Sequence, residues 1–217
     1  MIKNVIFDLD GTLLDTREGI LESVRYAAVQ LGYPELSYSE LLSFVGPPIQ
    51  QSFITHYGCD TEAAQKAANL FRDYYKTVAL LKATPYEGIY ALCNTLKQHG
   101  IRMAVATYKR EDYALTLLRH FHFDEYCDSM HGADGENKRK KNDIVKLCMD
   151  EMHAKPEQTV LVGDTVHDEN GAKLAGIGFL AVTYGFGFRN AAEPRECMGV
   201  SATPMGLAKI LLQGAVS

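Results

Sequence analysis

Hydrophobic and polar positions follow two regimes along the chain. Residues 2–7 are a short, apolar, largely β-branched run, the pattern of a strand buried on both faces of a parallel sheet. From about Asp15 to Lys82 the apolar residues recur at helical spacing, and no convincing strand is visible. The spacing predicts a helix over 17–31, with Asp15 or Thr16 as cap, Ile20, Val24, Ala27, Ala28 and Leu31 as apolar stripe, and Gly32 as stop. Ser37-x-x-Glu40 has capping-box form and opens a short helix to Phe44. Gly46-Pro47-Pro48 breaks the pattern, a helix over 49–57 follows, and Thr61 caps a longer one reaching about Leu81.

After Ala83-Thr84-Pro85 the regime changes to alternation. Helix 86–99 leads to strand 101–106. Helix 111–121 leads to a weaker strand near 126–131, helix 142–152 to strand 159–162, and a short helix over 168–175 to strand 179–183. Strands and helices alternating at this spacing make βαβ units, hence a parallel sheet with helices on both faces. The expected fold class is α/β. A Rossmann-like core, residues 1–14 and 83–217, is interrupted by an all-helical cap domain, residues 15–82.

Composition narrows the classes. A chain of 217 residues, 47% hydrophobic, can bury a sizeable core. Its net charge of −5 argues against a broad nucleic-acid or anionic-membrane surface. No apolar run approaches the ~20 residues of a membrane span, and the first residues carry no signal-peptide pattern. Five scattered cysteines without a C-x-x-C pair suggest reduced thiols and a cytoplasmic protein. The sequence does not distinguish monomer from homodimer.

Candidate chemistry lies where strands end, the place where open α/β sheets bind ligands. In Val5-Ile6-Phe7-Asp8-Leu9-Asp10-Gly11-Thr12 an apolar strand runs into two carboxylates one residue apart. Along a strand they point to one side, so their charges repel unless a cation lies between them. Gly11 permits a sharp turn, and Thr12 offers a hydroxyl and an N–H there; an ordinary Asp-Gly surface turn is the structural alternative. Gly163-Asp164-Thr165-Val166-His167-Asp168 places two more carboxylates where a strand becomes a helix. Hard oxygen ligands of this kind suit Mg²⁺, although Asp168 could equally be a helix N-cap. Thr107, after a strand, could hold phosphate oxygens with the N–H groups of the following turn. The run Lys138-Arg139-Lys140-Lys141 precedes a helix and could be no more than a solvated face. Within it, Lys141 is four residues before Val145 on the apolar stripe of Val145, Cys148 and Met152, so its stem leaves on the face turned towards the sheet.

Together these residues are more specific than any one of them. Asp8-x-Asp10-Gly11-Thr12, Thr107, a lysine before a helix and Gly163-Asp164-x-x-x-Asp168 closely resemble the haloacid dehalogenase-like superfamily, in order and spacing, over nearly the whole chain. The helical insert, Gly132-Ala133-Asp134-Gly135 and Tyr184-Gly185-Phe186-Gly187 are similar to the subgroup containing phosphoglycolate phosphatases. Asn142 stands where many relatives have Pro, and Tyr108 where many have a smaller polar residue. The resemblance implies catalytic roles for Asp8 (nucleophile), Asp10 (acid and base), Thr107 and Lys141. It implies Mg²⁺ bound by the Asp8 carboxylate, the Asp10 backbone carbonyl and Asp164, with Asp168 supporting the ion directly or through water. The implied activity is hydrolysis of a small phosphomonoester, phosphoglycolate or a nucleoside monophosphate, through an aspartyl-phosphate. The alternative is a β-phosphoglucomutase-like sugar phosphomutase. No nucleic-acid polymer or membrane partner is expected.

Overall fold

The computed structural model describes residues 1–134 and 138–213. Gly135 of the expected Gly132-Ala133-Asp134-Gly135 motif lies outside the described residues. In chain order the strands are β1 (Asn4–Phe7), β2 (Leu14–Asp15), β3 (Thr84–Pro85), β4 (Arg102–Arg110), β5 (Cys127–Ala133), β6 (Thr159–Gly163), β7 (Gly178–Val182) and β8 (Gly199–Ser201). The helices are α1 (Arg17–Gln30), α2 (Tyr38–Leu42), α3 (Ile49–Tyr57), α4 (Thr61–Tyr74), α5 (Ile89–Gln98), α6 (Glu111–His120), α7 (Lys141–Glu151), α8 (Val166–Ala175) and α9 (Pro204–Gln213). The chain divides into two compact units, one of Met1–Asp15 with Pro85–Ser217, the other Thr16–Thr84.

The first unit is an α/β fold. Its six-stranded sheet has the order β5-β4-β1-β6-β7-β8 and its strand pairs are parallel. Ile6, Ala104 and Leu161 on one face pack under Ile144, Val145 and Cys148 of α7, Met152 just after it, and Ala172 of α8. The all-apolar run of β1 is buried because it is central, with β4 and β6 on either side. Phe7 is level with Val105 and Val162, and the Asp8 N–H donates to the Val162 carbonyl at 2.8 Å. β1 and β6 therefore end at nearly one level, where the Asp8 and Asp164 carboxylates meet, while β4 beside β1 carries Thr107 past that level.

The second unit is helical. Leu21, Val24 and Ala27 of α1, Phe53 of α3 and Ala64 and Ala67 of α4 bury one another with Leu41 and Phe44. The absent side chain of Gly19 is what lets α1 lie against the backbone of Ala79. Among the described residues no helix is long and apolar enough to cross a membrane.

Several boundaries differ from the expected ones, each for a local reason. Asp60, not Thr61, caps α4, accepting the Ala63 N–H at 2.8 Å. At Tyr75 that helix gives way to a π-helical turn over Tyr75–Ala79. α5 starts at Ile89 rather than at 86, because Gly88 before it is left-handed (φ +83°). β4 does not end at 106; it runs through Thr107 to Arg110. α8 starts at Val166 with Thr165 as its N-cap, so Asp168 is an interior residue of the first turn and not the cap. The pattern did not announce β8, which completes the sheet edge beside β7, or α9, which packs on α5.

Candidate active site

The turn after β1 is tight. The Leu13 and Leu14 N–H groups both donate to the Leu9 carbonyl at 3.0 Å, and Gly11 takes a left-handed φ of +83°. A Cβ on Gly11 would strike the Asp164 carboxylate, so only glycine fits between the two motifs. The Thr12 N–H bonds to the Leu9 carbonyl at 3.3 Å and is not offered to a ligand, contrary to expectation.

Asp8, Asp164 and Asp168 converge, each with a carboxylate oxygen within 4.8 Å of the others. All three are buried, Asp164 completely. Lys141 comes to them from the first turn of α7. Its Nζ is 2.6 Å from Asp8 Oδ1 and 2.6 Å from Asp168 Oδ1, and only 2% of the residue is exposed. Gly171 on α8 makes room for the lysine stem. Lys138 and Lys140 are exposed. The Asp134 carboxylate accepts the Lys138 and Arg139 N–H groups at 2.8 and 3.2 Å and so fixes the end of the loop that delivers Lys141.

The two later carboxylates are held differently. Asp168 Oδ2 accepts the Thr165 N–H at 3.0 Å and the Thr165 hydroxyl at 2.7 Å, while Oδ1 takes Lys141. Asp164 Oδ2 accepts the Phe186 and Gly187 N–H groups at 2.7 and 3.0 Å. Asp164 Oδ1 is buried without a hydrogen-bond partner among the described residues. The strand-to-loop segment 184–187 is built for this approach, since a Cβ on Gly185 or Gly187 would run into Asp164.

Three carboxylates and one ammonium leave two negative charges in excess when all are ionised. Burial accordingly pushes the Asp8 carboxyl up to about 7; Lys141 opposes the shift, and Asp168 and Asp10 add to it. Burial, then the Asp168 and Asp8 charges, also push Asp164 up to about 7 against the two backbone N–H bonds. Burial works against the Lys141 charge, but Asp168 and Asp8 outweigh it and hold the ammonium above its ordinary range. Lys141 therefore stays charged, and the carboxylates bear the imbalance. A buried carboxylate oxygen with no donor, beside two more carboxylates, is the environment a divalent cation stabilises. The residues fit Mg²⁺. Because both Asp168 oxygens have partners, that carboxylate is better placed to hold Lys141 than to bind an ion directly.

Asp10 faces Lys109, which no sequence pattern had singled out. Lys109 Nζ donates to Asp10 Oδ1 at 2.8 Å and Oδ2 at 3.1 Å, with 7% of the lysine side chain exposed. Thr107 is buried, and its Oγ1 accepts the Lys109 N–H at 3.1 Å. Tyr108 is exposed beside the site, its ring 6.0 Å from Lys141 Nζ and edge-on to His167.

Comparison with known proteins finds relatives over nearly the whole chain. A family model described as haloacid dehalogenase-like hydrolase matches residues 5–182. A 5′-nucleotidase of Pseudomonas aeruginosa is 36% identical over 96% of this chain and 95% of its own. The tyrosine-protein kinase PtkA of Mycobacterium tuberculosis is 35% identical over 84% of this chain and 62% of its own. The solved structure of a predicted phosphatase from Clostridium acetobutylicum superposes with a TM-score of 0.87 at 33% identity, over 98% of this chain and 99% of the other.

Proposed function

The chain belongs to the haloacid dehalogenase-like hydrolases, and on that premise we propose a Mg²⁺-dependent phosphatase that works through an aspartyl-phosphate on Asp8. Hydrolysis of phosphate monoesters is the activity of the chain. The observation that carries the metal-dependent reading is the buried Asp164 Oδ1, without a partner among the described residues, on a carboxylate clustered with those of Asp8 and Asp168.

Lys141 bonds Asp8 Oδ1 and leaves Oδ2 for attack on phosphorus. The bond from phosphorus to the alcohol oxygen breaks, and Asp10 supplies the proton that oxygen needs. Asp10 then takes a proton from the water that hydrolyses the aspartyl-phosphate and frees Asp8. Thr107 and Lys141 hold phosphoryl oxygens, whose charge the site must balance throughout. The Asp8 and Asp164 carboxylates and the Asp10 carbonyl, with Asp168 behind them, would hold Mg²⁺, and the charge of the ion would offset that of the phosphoryl group. The favoured substrate is a nucleoside 5′-monophosphate, on the strength of the 36% identical nucleotidase; phosphoglycolate is the second candidate. Five free cysteines suit a reducing cytoplasm.

The test is phosphate release from a panel of nucleotides, phosphoglycolate, sugar phosphates and a phosphotyrosine peptide, with Mg²⁺ or EDTA. Release from a nucleoside 5′-monophosphate, lost in EDTA and lowered by at least about 10³ in Asp8→Asn without unfolding, is the expected result. Isomerisation of a sugar phosphate without release would identify the mutase instead. Transfer from ATP to a tyrosine peptide without hydrolysis would overturn the phosphatase reading.

A further inference from the structure

The roles above leave Lys109 without one, yet the fold goes to some length to place it. Between Ala106↔His131 and Arg110↔Ala133 the chain takes four steps along β4 against two along β5. The irregularity covers Thr107, Tyr108 and Lys109, and such bulges re-aim side chains beside active sites. Gly132 of β5 lies opposite: a Cβ there would fall 2.5 Å from the Lys109 carbonyl oxygen and 2.6 Å from Glu111 Cα. The bulge thus depends on a missing side chain across the sheet. Its product is a nearly enclosed ammonium gripping both oxygens of Asp10. Enclosing a lysine costs hydration and side-chain entropy, which packing alone would not require.

We infer that Lys109 is a positioning residue for Asp10, setting the carboxyl plane from which a proton reaches the leaving oxygen. The inference rests on the acid role of Asp10 given above. Contact with both oxygens stops the carboxyl from rotating about its terminal bond. When one oxygen carries the proton, the ammonium keeps its bond to the other, so the protonated oxygen stays directed at the leaving group. A carboxyl free to rotate would present its proton only part of the time, and orientation of this kind controls rate.

The experiment compares Lys109→Met, Lys109→Arg, Asp10→Asn and the Asp10→Asn/Lys109→Met double variant at saturating Mg²⁺. Each is assayed on p-nitrophenyl phosphate and on the alkyl phosphate that the wild type hydrolyses fastest. The phenolate leaves without a proton; the alkoxide needs one. The rate compared is that of aspartyl-phosphate formation, read as pre-steady-state release of the alcohol or the phenolate, because the later hydrolysis uses Asp10 as base whichever ester is cleaved. In that rate Lys109→Met should lose about 10² on the alkyl ester, the low end of general acid contributions, while losing less than about fivefold on p-nitrophenyl phosphate. KM should hold, Lys109→Arg should recover at least about tenfold, and the double variant should be no slower on the alkyl ester than Asp10→Asn. Equal losses on both esters, additivity with Asp10→Asn, or an effect confined to KM would overturn the inference. If Asp10→Asn itself slows both esters equally, the acid role fails first. If Asp10→Asn discriminates between the esters and Lys109→Met does not, only the present inference fails. Melting curves identify any variant that has not folded, and Lys109→Arg, which keeps the charge, carries the test where Lys109→Met does not fold.

Discussion

Asp8, Asp164 and Asp168 put three buried carboxylates around one ammonium, Lys141, which of the three bonds only Asp8 and Asp168, and this imbalance has two measurable results. Asp8 and Asp164 titrate near 7 in the folded chain, against an ordinary 3.8. Between about pH 4 and 7 the folded, metal-free protein holds protons that the unfolded chain has lost. Its stability in chelator should therefore fall as pH rises through that window. An ion bound by the same carboxylates competes with those protons. Mg²⁺ at about 100 times its dissociation constant should raise the melting temperature by about 5–10 °C at pH 8 and hardly at all at pH 5. Equal shifts at both pH values would remove Asp8 and Asp164 as ligands. The second result concerns the basic run. Lys141→Ala should cost about 10²–10³ in kcat, the range for a single charge-stabilising donor. Lys140→Ala should stay within a few-fold, because that residue is exposed. Steady-state rates of the two variants on one substrate decide the point.

At the scale of elements, the loop after β7 acts on the chemistry without touching it. Phe186 and Gly187 point two N–H groups at Asp164 Oδ2 and so fix the plane of the carboxylate whose Oδ1 is left without a partner among the described residues. Gly185→Ala would push a methyl group into Asp164 and the Gly11 carbonyl. It should weaken Mg²⁺ by about 10–100-fold, as loss of groups that orient a ligand does, which a thermal-shift titration would register; unchanged affinity would mean that the loop tolerates the methyl. Elements whose signals are local were legible from the sequence: the β-branched run of β1, Ser37 and Glu40 at α2, and Pro48 ahead of α3, whose bounds agree with expectation. The phase of α7, read from Val145 and Cys148, placed Lys141 on the inner face, where the structure has it. What escaped depends on neighbours far along the chain. The continuation of β4 past Thr107 is a property of its partner β5 and of Gly132, and Tyr108-Lys109-Arg110 taken alone reads as a solvated loop. Lys109 was missed for that reason, since a lysine after an apolar run is ordinarily exposed. The alternative cap position at Asp168 failed because Thr165, three residues earlier, makes the better N-cap and turns Asp168 inward.

For the whole molecule, the division of labour follows from which unit holds which residues. Asp8, Asp10, Thr107, Lys109, Lys141, Asp164 and Asp168 all belong to the unit of 1–15 and 85–217. The helical unit, 16–84, contributes none of these groups, which leaves substrate selection as its proposed task. Replacing 16–84 with the corresponding segment of a relative should change the order of preference across the phosphate panel while the Mg²⁺ requirement persists. An unchanged order would move selection to the core, with Tyr108 as the first residue to examine. The insertion also governs how the protein is made. β1 needs both of its neighbours, yet Asn4 pairs with Arg102 and with Thr159, and the helical unit is translated before either. During synthesis the helices can fold while Val5, Ile6 and Phe7 wait with both faces bare. A strand wholly buried in the finished protein is thus a bare apolar segment of the nascent chain. Slow translation between β1 and β6 lengthens that exposure, and a chaperone that binds short apolar segments would find its site in the first ten residues.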